Sequence, residues 1–315
     1  MSRARTAVVA LGGNALLPPG ERGTQKEQTR RARAAARRIA EVAGRGFRVV
    51  VVHGNGPQVG NLLIQMEEGA SHVPPYSLDL CVAATQGTIG FLLEEGLRNE
   101  LLARRIRRPV ATILTLAVVD ARDPAFRHPE KPVGPLLTAQ RVRYLRMVEH
   151  AAVVEEAGRG HRKVVPSPEP RGIIPAEVLR ALVHSGAVVI AGGGGGIPVV
   201  RDPGGTLRGV EAVVDKDRTA ALVAEAVEAT HLFILTEVPC VYERFGTSRQ
   251  RPLRRVRAAE MEARLAAGEF PAGSMGPKIE SALDFLARGG REVVITSIAA
   301  LPRALSGATG TRIVR

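Results

Sequence analysis

Five lysines stand among 44 basic side chains in this 315-residue chain, and the other 39 are arginine. Lysine offers a compact, mobile ammonium that can follow a moving phosphoryl group, whereas the broad planar guanidinium is matched to fixed carboxylates and phosphates. A lysine kept in so arginine-rich a chain is therefore a candidate for phosphoryl chemistry. Lys26 lies in a polar, helix-like run between Gln25 and Glu27, where chance retention explains it equally well. Lys131, Lys216 and Lys278 each stand in a loop signal beside Gly, Pro or Asp. In Asp215-Lys216-Asp217 two carboxylates flank one ammonium just before a helix; they can steady it, and an Asp at a helix start also satisfies free amides. Ser274-Met275-Gly276-Pro277-Lys278 puts another lysine in the first turn of a helix, where a cation is disfavoured unless an anion lies near.

Anions are also the natural ligands of two glycine turns, Gly12-Gly13-Asn14 and His53-Gly54-Asn55-Gly56. Glycines at a strand end let backbone amides turn inward and form a nest, and the next helix start adds its positive end. Each turn alone reads as plain chain reversal. The pair, with an asparagine in each, points to oxyanion binding. Neither matches the Walker A pattern, because no Gly-Lys-Ser/Thr closes the loop, and the dinucleotide fingerprint is poorly met. A third run, residues 192–196, is five consecutive glycines, an entropic burden that fits a wall approached closely by a ligand.

The elements that must hold these groups alternate between apolar runs and helix-periodic segments, as in an α/β fold on a largely parallel sheet. Strands are expected at residues 7–11, 47–52, 110–119, 187–191, 232–236, 241–242, 292–296 and 311–314. Helices are expected at 25–44, 59–67, within 78–107, and at 175–185, 218–229, 258–267 and 277–287. Parallel strands would open both glycine turns at the carboxyl edge of the sheet, where such folds bind ligands. Residues 121–175, rich in Pro, Arg and His, break the alternation and read as a projecting excursion of the kind that serves as a lid.

The net charge of +13 invites a nucleic-acid reading, but aromatic residues are only 3% and Trp is absent, so stacking platforms are scarce. Arginine is spread along the chain, which solvated faces explain, with attraction of small anions as a consequence. The apolar run at 7–11 is too short for a signal peptide, and no stretch has the length to cross a bilayer. Cys81 and Cys240, both in apolar surroundings, read as reduced buried thiols, which suits the cytoplasm. Partners are thus expected to be small molecules, with neither nucleic acid nor membrane.

The chain resembles the carbamate kinases, members of the amino-acid kinase superfamily. The likeness rests on residues 10–15 (Ala10-Leu11-Gly12-Gly13-Asn14-Ala15), 53–62, 78–87, 131–135, 156–168, 193–200, 210–217, 273–278 and 310–314, nearly the whole chain in the family's order. The segment 159–168 is more specific than the glycine turns. The resemblance implies an αβα three-layer sandwich with an open, mostly parallel sheet and a small protruding subdomain at about 121–175. It implies an acceptor-binding lobe over 1–208, a nucleotide-binding lobe over 209–315, and a homodimer. It further implies reversible transfer between ATP and carbamate, that is, ATP synthesis from carbamoyl phosphate and ADP, with Mg²⁺ between the nucleotide phosphates and no protein ligand assigned to it. Carried over by motif, Gly12, Gly13, Asn14, Gly54, Asn55 and Gly56 would cradle carbamoyl phosphate and Lys131 would reach down to it. Lys216 and Lys278 would bridge the transferring phosphoryl group and the nucleotide, Asp217 would orient them, and Asp215, Thr236 and Met275 would complete the nucleotide site. Thr236-Glu237-Val238-Pro239 and His161 depart from the family pattern. The alternatives are a kinase of the same fold acting on another small carboxylate, and a basic nucleic-acid-binding module without catalysis.

Overall fold

Strand β1 (Thr6–Leu11) is buried along its whole length, as befits a strand covered on both faces. With it run β2 (Arg48–His53), β3 (Val110–Thr112), β4 (Val188–Ile190), β5 (His231–Thr236), β6 (Arg255–Arg257), β7 (Glu292–Ser297) and β8 (Thr311–Val314). They form one eight-stranded sheet in the order β6-β8-β7-β5-β1-β2-β4-β3. All neighbours are parallel except β7 and β8. The computed structural model describes residues 5–18, 20–148, 151–156, 160–271 and 274–315, and of Asn14, Pro135 and Glu156 the backbone alone.

Side chains alternate across β1 and divide the interior in two. Ala7, Val9 and Leu11 meet α2 (Gln25–Gly44) and α4 (Leu78–Ala103) through Ala36, Ile39, Leu93 and Leu97. Val8 and Ala10 face the other way, onto α6 (Ala176–His184), α7 (Lys216–Ala226) and α9 (Gly276–Ala287), through Leu179, Ala220, Val223, Ile279 and Phe285. Helix, sheet and helix thus make three layers, and each fully buried Leu or Ile contributes about 1.5–3 kcal/mol. α2 begins at a capping box, in which the Thr24 hydroxyl accepts from the Glu27 amide and the Glu27 carboxylate accepts from the Thr24 amide. The remaining α-helices are α1 (Gly13–Leu16), α3 (Gly56–Gly69), α5 (Ala139–Met147), α8 (Ala258–Ala266) and α10 (Leu301–Leu305).

The expected single strand at 110–119 is divided. After Thr112 the chain leaves the main sheet, and Leu116–Val119 joins a four-stranded sheet with Pro170–Ile174, Ile197–Arg201 and Leu207–Gly209. The cause is Gln86 of α4, whose amide clamps Thr115 by accepting from its N–H at 2.9 Å and donating to its carbonyl at 3.0 Å. Within 121–175 a separate three-stranded sheet, Lys131–Leu137, Gly160–Val165 and Val153–Glu156, carries α5 and packs across α3.

Candidate active site

Both glycine turns open at the carboxyl edge of adjacent parallel strands. The Gly12 amide still donates to the carbonyl of Leu235, the penultimate residue of β5, and the Gly54 amide to that of Leu11. Beyond those bonds the chain turns into α1 and α3. Asn55 is the N-cap of α3 but makes no capping hydrogen bond with its side chain; its Nδ2 instead donates to Thr85 Oγ1 at 2.8 Å. A 14-residue helix therefore presents its first amides and positive end toward the turn. The two turns touch, because a Cβ placed on Gly54 would lie 2.8 Å from the Gly13 amide nitrogen and 3.1 Å from Cδ of Lys216. The Asn14 side chain lies outside the described residues.

Lys216 arrives from the other side of the sheet as the first residue of α7, with Asp215 as N-cap accepting from the Asp217 amide at 2.9 Å. That first turn fixes three groups at once. Lys216 Nζ donates to Asp217 Oδ2 at 2.8 Å, and Lys278 Nζ, from the first turn of α9, stands 3.6 Å from the same oxygen while donating to the Ser274 carbonyl at 3.0 Å. Lys131 Nζ, from the first residue of the protruding strand, donates to Asp215 Oδ2 at 2.8 Å. Three ammonium groups on three elements thus share two carboxylates separated by one residue, beside the paired glycine turns.

The charges are not equally comfortable. Burial would push the Asp215 carboxyl up, but Lys131 and Lys216 outweigh it and hold it well below the usual carboxylate range. Burial likewise opposes the charge on Lys216, and Asp217 with Asp215 more than offsets that, keeping the ammonium above its ordinary value. Lys278 is the reverse case: burial and then the neighbouring Lys216 charge pull it down, and the carboxylates only partly compensate. An anion arriving between Lys216 and Lys278 would relieve that repulsion.

The third glycine run is a buttress behind this site, which its sequence did not show. Gly194 and Gly195 have φ of 66° and 88°, and added Cβ atoms would fall 2.3 Å from Asn55 Nδ2 and 2.1 Å from the Val214 carbonyl oxygen. The run therefore locks the second glycine turn to the residue preceding Asp215. Thr219 Oγ1 donates to the Gly195 carbonyl at 2.6 Å, and the Gly192 amide donates to Thr115 Oγ1 at 2.9 Å. His53 is fully buried against Gly193, and burial brings its pKa to about 4, so the ring is neutral at pH 7. Thr85, Gln86 and Thr115 also belong to this support; two adjacent polar residues in the apolar α4 were the available signal.

Thr236 ends β5 at the same edge, level with Ser297 of β7. Met275 is the N-cap of α9 and packs against the interior beneath that helix. Lys163 is elsewhere: its Nζ lies 3.2 Å from Glu67 Oε1 of α3, which also holds Arg141, tying the protruding part down beside a cavity of about 490 Å³. Lys26 is the second residue of α2. Arg159 and Gly273, parts of two motifs, lie outside the described residues. Among the described residues no group of three or more His, Cys, Asp or Glu is arranged to hold a metal, and no helix is long and apolar enough to cross a membrane. Asp217 Oδ1, buried and without a hydrogen-bond partner in the protein, is the one acidic oxygen in the cluster that such an ion could claim.

The model of the amino acid kinase family matches residues 5–297. A carbamate kinase of Pyrococcus horikoshii is 45% identical over 308 residues, covering 97% of this chain and 98% of that protein. Carbamate kinase 2 of Enterococcus faecalis is 46% identical over 293 residues, covering 92% and 93%. A solved structure, carbamate kinase from Giardia lamblia bound to AMP-PNP, superposes with a TM-score of 0.91 at 37% identity, over 100% of this chain and 99% of that one.

Proposed function

The chain belongs to the amino acid kinase family, and from that footing we propose that it is a phosphotransferase moving a phosphoryl group reversibly between ATP and carbamate, with carbamoyl phosphate and ADP as the other pair. The observation that carries this reading is the convergence of Lys131, Lys216 and Lys278 on Asp215 and Asp217, beside the Gly13 and Gly54 turns. Phosphoryl transfer passes through a loose state with charge spread over the equatorial oxygens, so alignment and fixed positive donors supply most of the catalysis. Carbamate oxygen is already anionic, and no general base is required.

The turns Gly12-Gly13-Asn14 and Gly54-Asn55-Gly56 hold carbamoyl phosphate through the amides of Gly13, Asn14, Asn55 and Gly56, those of Gly12 and Gly54 being committed to the sheet, and Lys131 reaches it from the protruding strand. Lys216 and Lys278 bracket the migrating group, with Asp217 Oδ2 fixing both. The strained charge on Lys278 is the useful one, since its attraction grows as the phosphoryl anion comes between the two lysines. Asp215, Thr236 and Met275 lie on the nucleotide side. The division into an acceptor lobe, 1–208, and a nucleotide lobe, 209–315, is supported by the origin of these groups: both glycine turns and Lys131 precede residue 209, and the remaining members follow it. Residues 121–175 act as the lid.

A Mg²⁺ ion accompanying the nucleotide would fit the orphaned Asp217 Oδ1, which would be the group to hold it. When present it supplies neutralisation of phosphate charge. The protein acts as a homodimer. The support is a stripe on α4, Leu80, Phe91 and Leu102, exposed by 51%, 64% and 77%, whose 11-residue spacing sets them on one helix face roughly 16 Å apart. Two buried free cysteines and nucleotide substrates support a cytoplasmic location.

The test is a coupled assay of purified protein with carbamoyl phosphate and Mg-ADP, following ATP and ammonia together. ATP formed in step with ammonia is expected. Folded protein that makes no ATP from carbamoyl phosphate but does so from acetyl phosphate would transfer the reading to another carboxylate acceptor.

A further inference from the structure

At the opposite edge of the sheet, where β1, β2, β5 and β7 begin, a second cavity of about 490 Å³ is unused by the chemistry above. A six-residue strand separates the two edges by about 20 Å. Three guanidiniums line the cavity, those of Arg5, Arg45 and Arg312, against one carboxylate, Glu292. Glu292 is already paired with Arg312. Arg5 donates to the Arg45 carbonyl at 3.2 Å and Arg45 to the Leu305 carbonyl at 3.2 Å, and among the described residues neither has an acidic partner. The lining therefore carries two uncompensated positive charges, in a recess whose field concentrates anions.

The cavity floor is aromatic. Phe47 meets His231 and Phe233 edge-on at centroid distances of 5.0 and 5.9 Å, and His231 and Phe233 lie within 13° of parallel. Arg5 sits over the Phe47 ring at 4.3 Å, held there by the ring face. Guanidiniums beside aromatic faces recognise a planar body bearing an oxyanion. Two free charges match the near-dianionic state of a phosphate monoester at neutral pH, which a single carboxylate does not reach.

We propose that this cavity binds a small flat-ringed organic phosphate, its phosphate between the Arg5 and Arg45 guanidiniums and its ring against Phe47, His231 and Phe233. His231 is the built-in reporter. Burial and then Arg5, Arg291 and Arg312 depress its pKa to about 4; Arg45, Glu292 and the Thr230 hydroxyl, 2.8 Å from Nδ1, complete its surroundings. A bound dianion favours the imidazolium and raises that value.

The experiment titrates phenyl phosphate into the full-length protein with AMP-PNP present to fill the nucleotide site, following His231 by NMR, its signal assigned by loss in His231→Gln. A saturable shift is expected, with the His231 pKa rising by about one unit. Arg5→Gln and Arg45→Gln are each expected to weaken binding about tenfold, one charge-assisted hydrogen bond's worth, and Lys216→Arg to leave it unchanged. Inorganic phosphate and benzoate should bind more weakly than phenyl phosphate. No saturable shift at His231, affinity indifferent to both arginines, or binding lost in Lys216→Arg would overturn the proposal. Equal binding of inorganic phosphate would overturn the role of the ring, and equal binding of benzoate the preference for a dianion.

Discussion

Gly54→Ala tests whether the two phosphate turns work as a single cradle. The added methyl would lie 2.8 Å from the Gly13 amide nitrogen, 3.1 Å from Gly13 Cα and 3.1 Å from Cδ of Lys216, where ordinary contact begins at 3.4 Å. Gly13 backbone must therefore retreat by about 0.6 Å, taking amides of the first nest and the Lys216 stem with it. Overpacking of this size costs about 1–3 kcal/mol, a fall in melting temperature of roughly 2–6 °C. Reacting groups misplaced by 1 Å lose about a hundredfold in rate, so kcat/KM should fall by about 10–100-fold with the loss chiefly in kcat. Gly56→Ala in the same turn is the control, since its Cβ meets nothing within 4 Å; its melting temperature should match the wild type, with any loss appearing in KM. The assay is ATP formation from carbamoyl phosphate and ADP, beside calorimetry. Gly54→Ala turning over within twofold of wild type would refute the idea of a shared cradle.

Lys131→Arg, Lys216→Arg and Lys278→Arg should each lose most activity while staying folded by circular dichroism, because a guanidinium is too broad for the cluster; near-normal turnover in two of them defeats the assigned roles. Stability should fall on acidification from pH 6.5 to 4: His53 titrates near 4 when folded and near 6.5 when unfolded, so the unfolded chain takes up the proton first. His53→Gln should remove about 3 kcal/mol of that pH dependence, seen as a flatter profile of unfolding midpoints in urea. Phe91→Glu should shift sedimentation from dimer to monomer by charging the middle of the exposed α4 stripe, and an unchanged dimer would place the interface elsewhere.

Periodicity and breakers are enough for an α/β class on a largely parallel sheet, and the family resemblance adds the three-layer sandwich. α2 spans 25–44 as its pattern implies, because Thr24 and Glu27 form a local cap and alanines fill one face. α7 begins at Lys216, two residues before its pattern implies, because the Asp215 side chain caps the helix by accepting from the Asp217 amide. The three lysines and two nests are legible as chemistry in isolation. What bound them together was not, because Lys131 meets Asp215 across 84 residues of chain and Gly194 meets Asn55 across the sheet edge. The break after Thr112 was hidden for the same reason, since a glutamine 29 residues away imposes it.

The most direct measurement is diffraction from crystals grown with Mg-ADP and a phosphoryl mimic such as aluminium fluoride. The Nζ atoms of Lys131, Lys216 and Lys278 and amides from both glycine turns are expected within hydrogen-bonding distance of that one group. A mimic bound with the lysines still locked on Asp215 and Asp217, and the glycine turns facing elsewhere, would contradict the phosphoryl-transfer site.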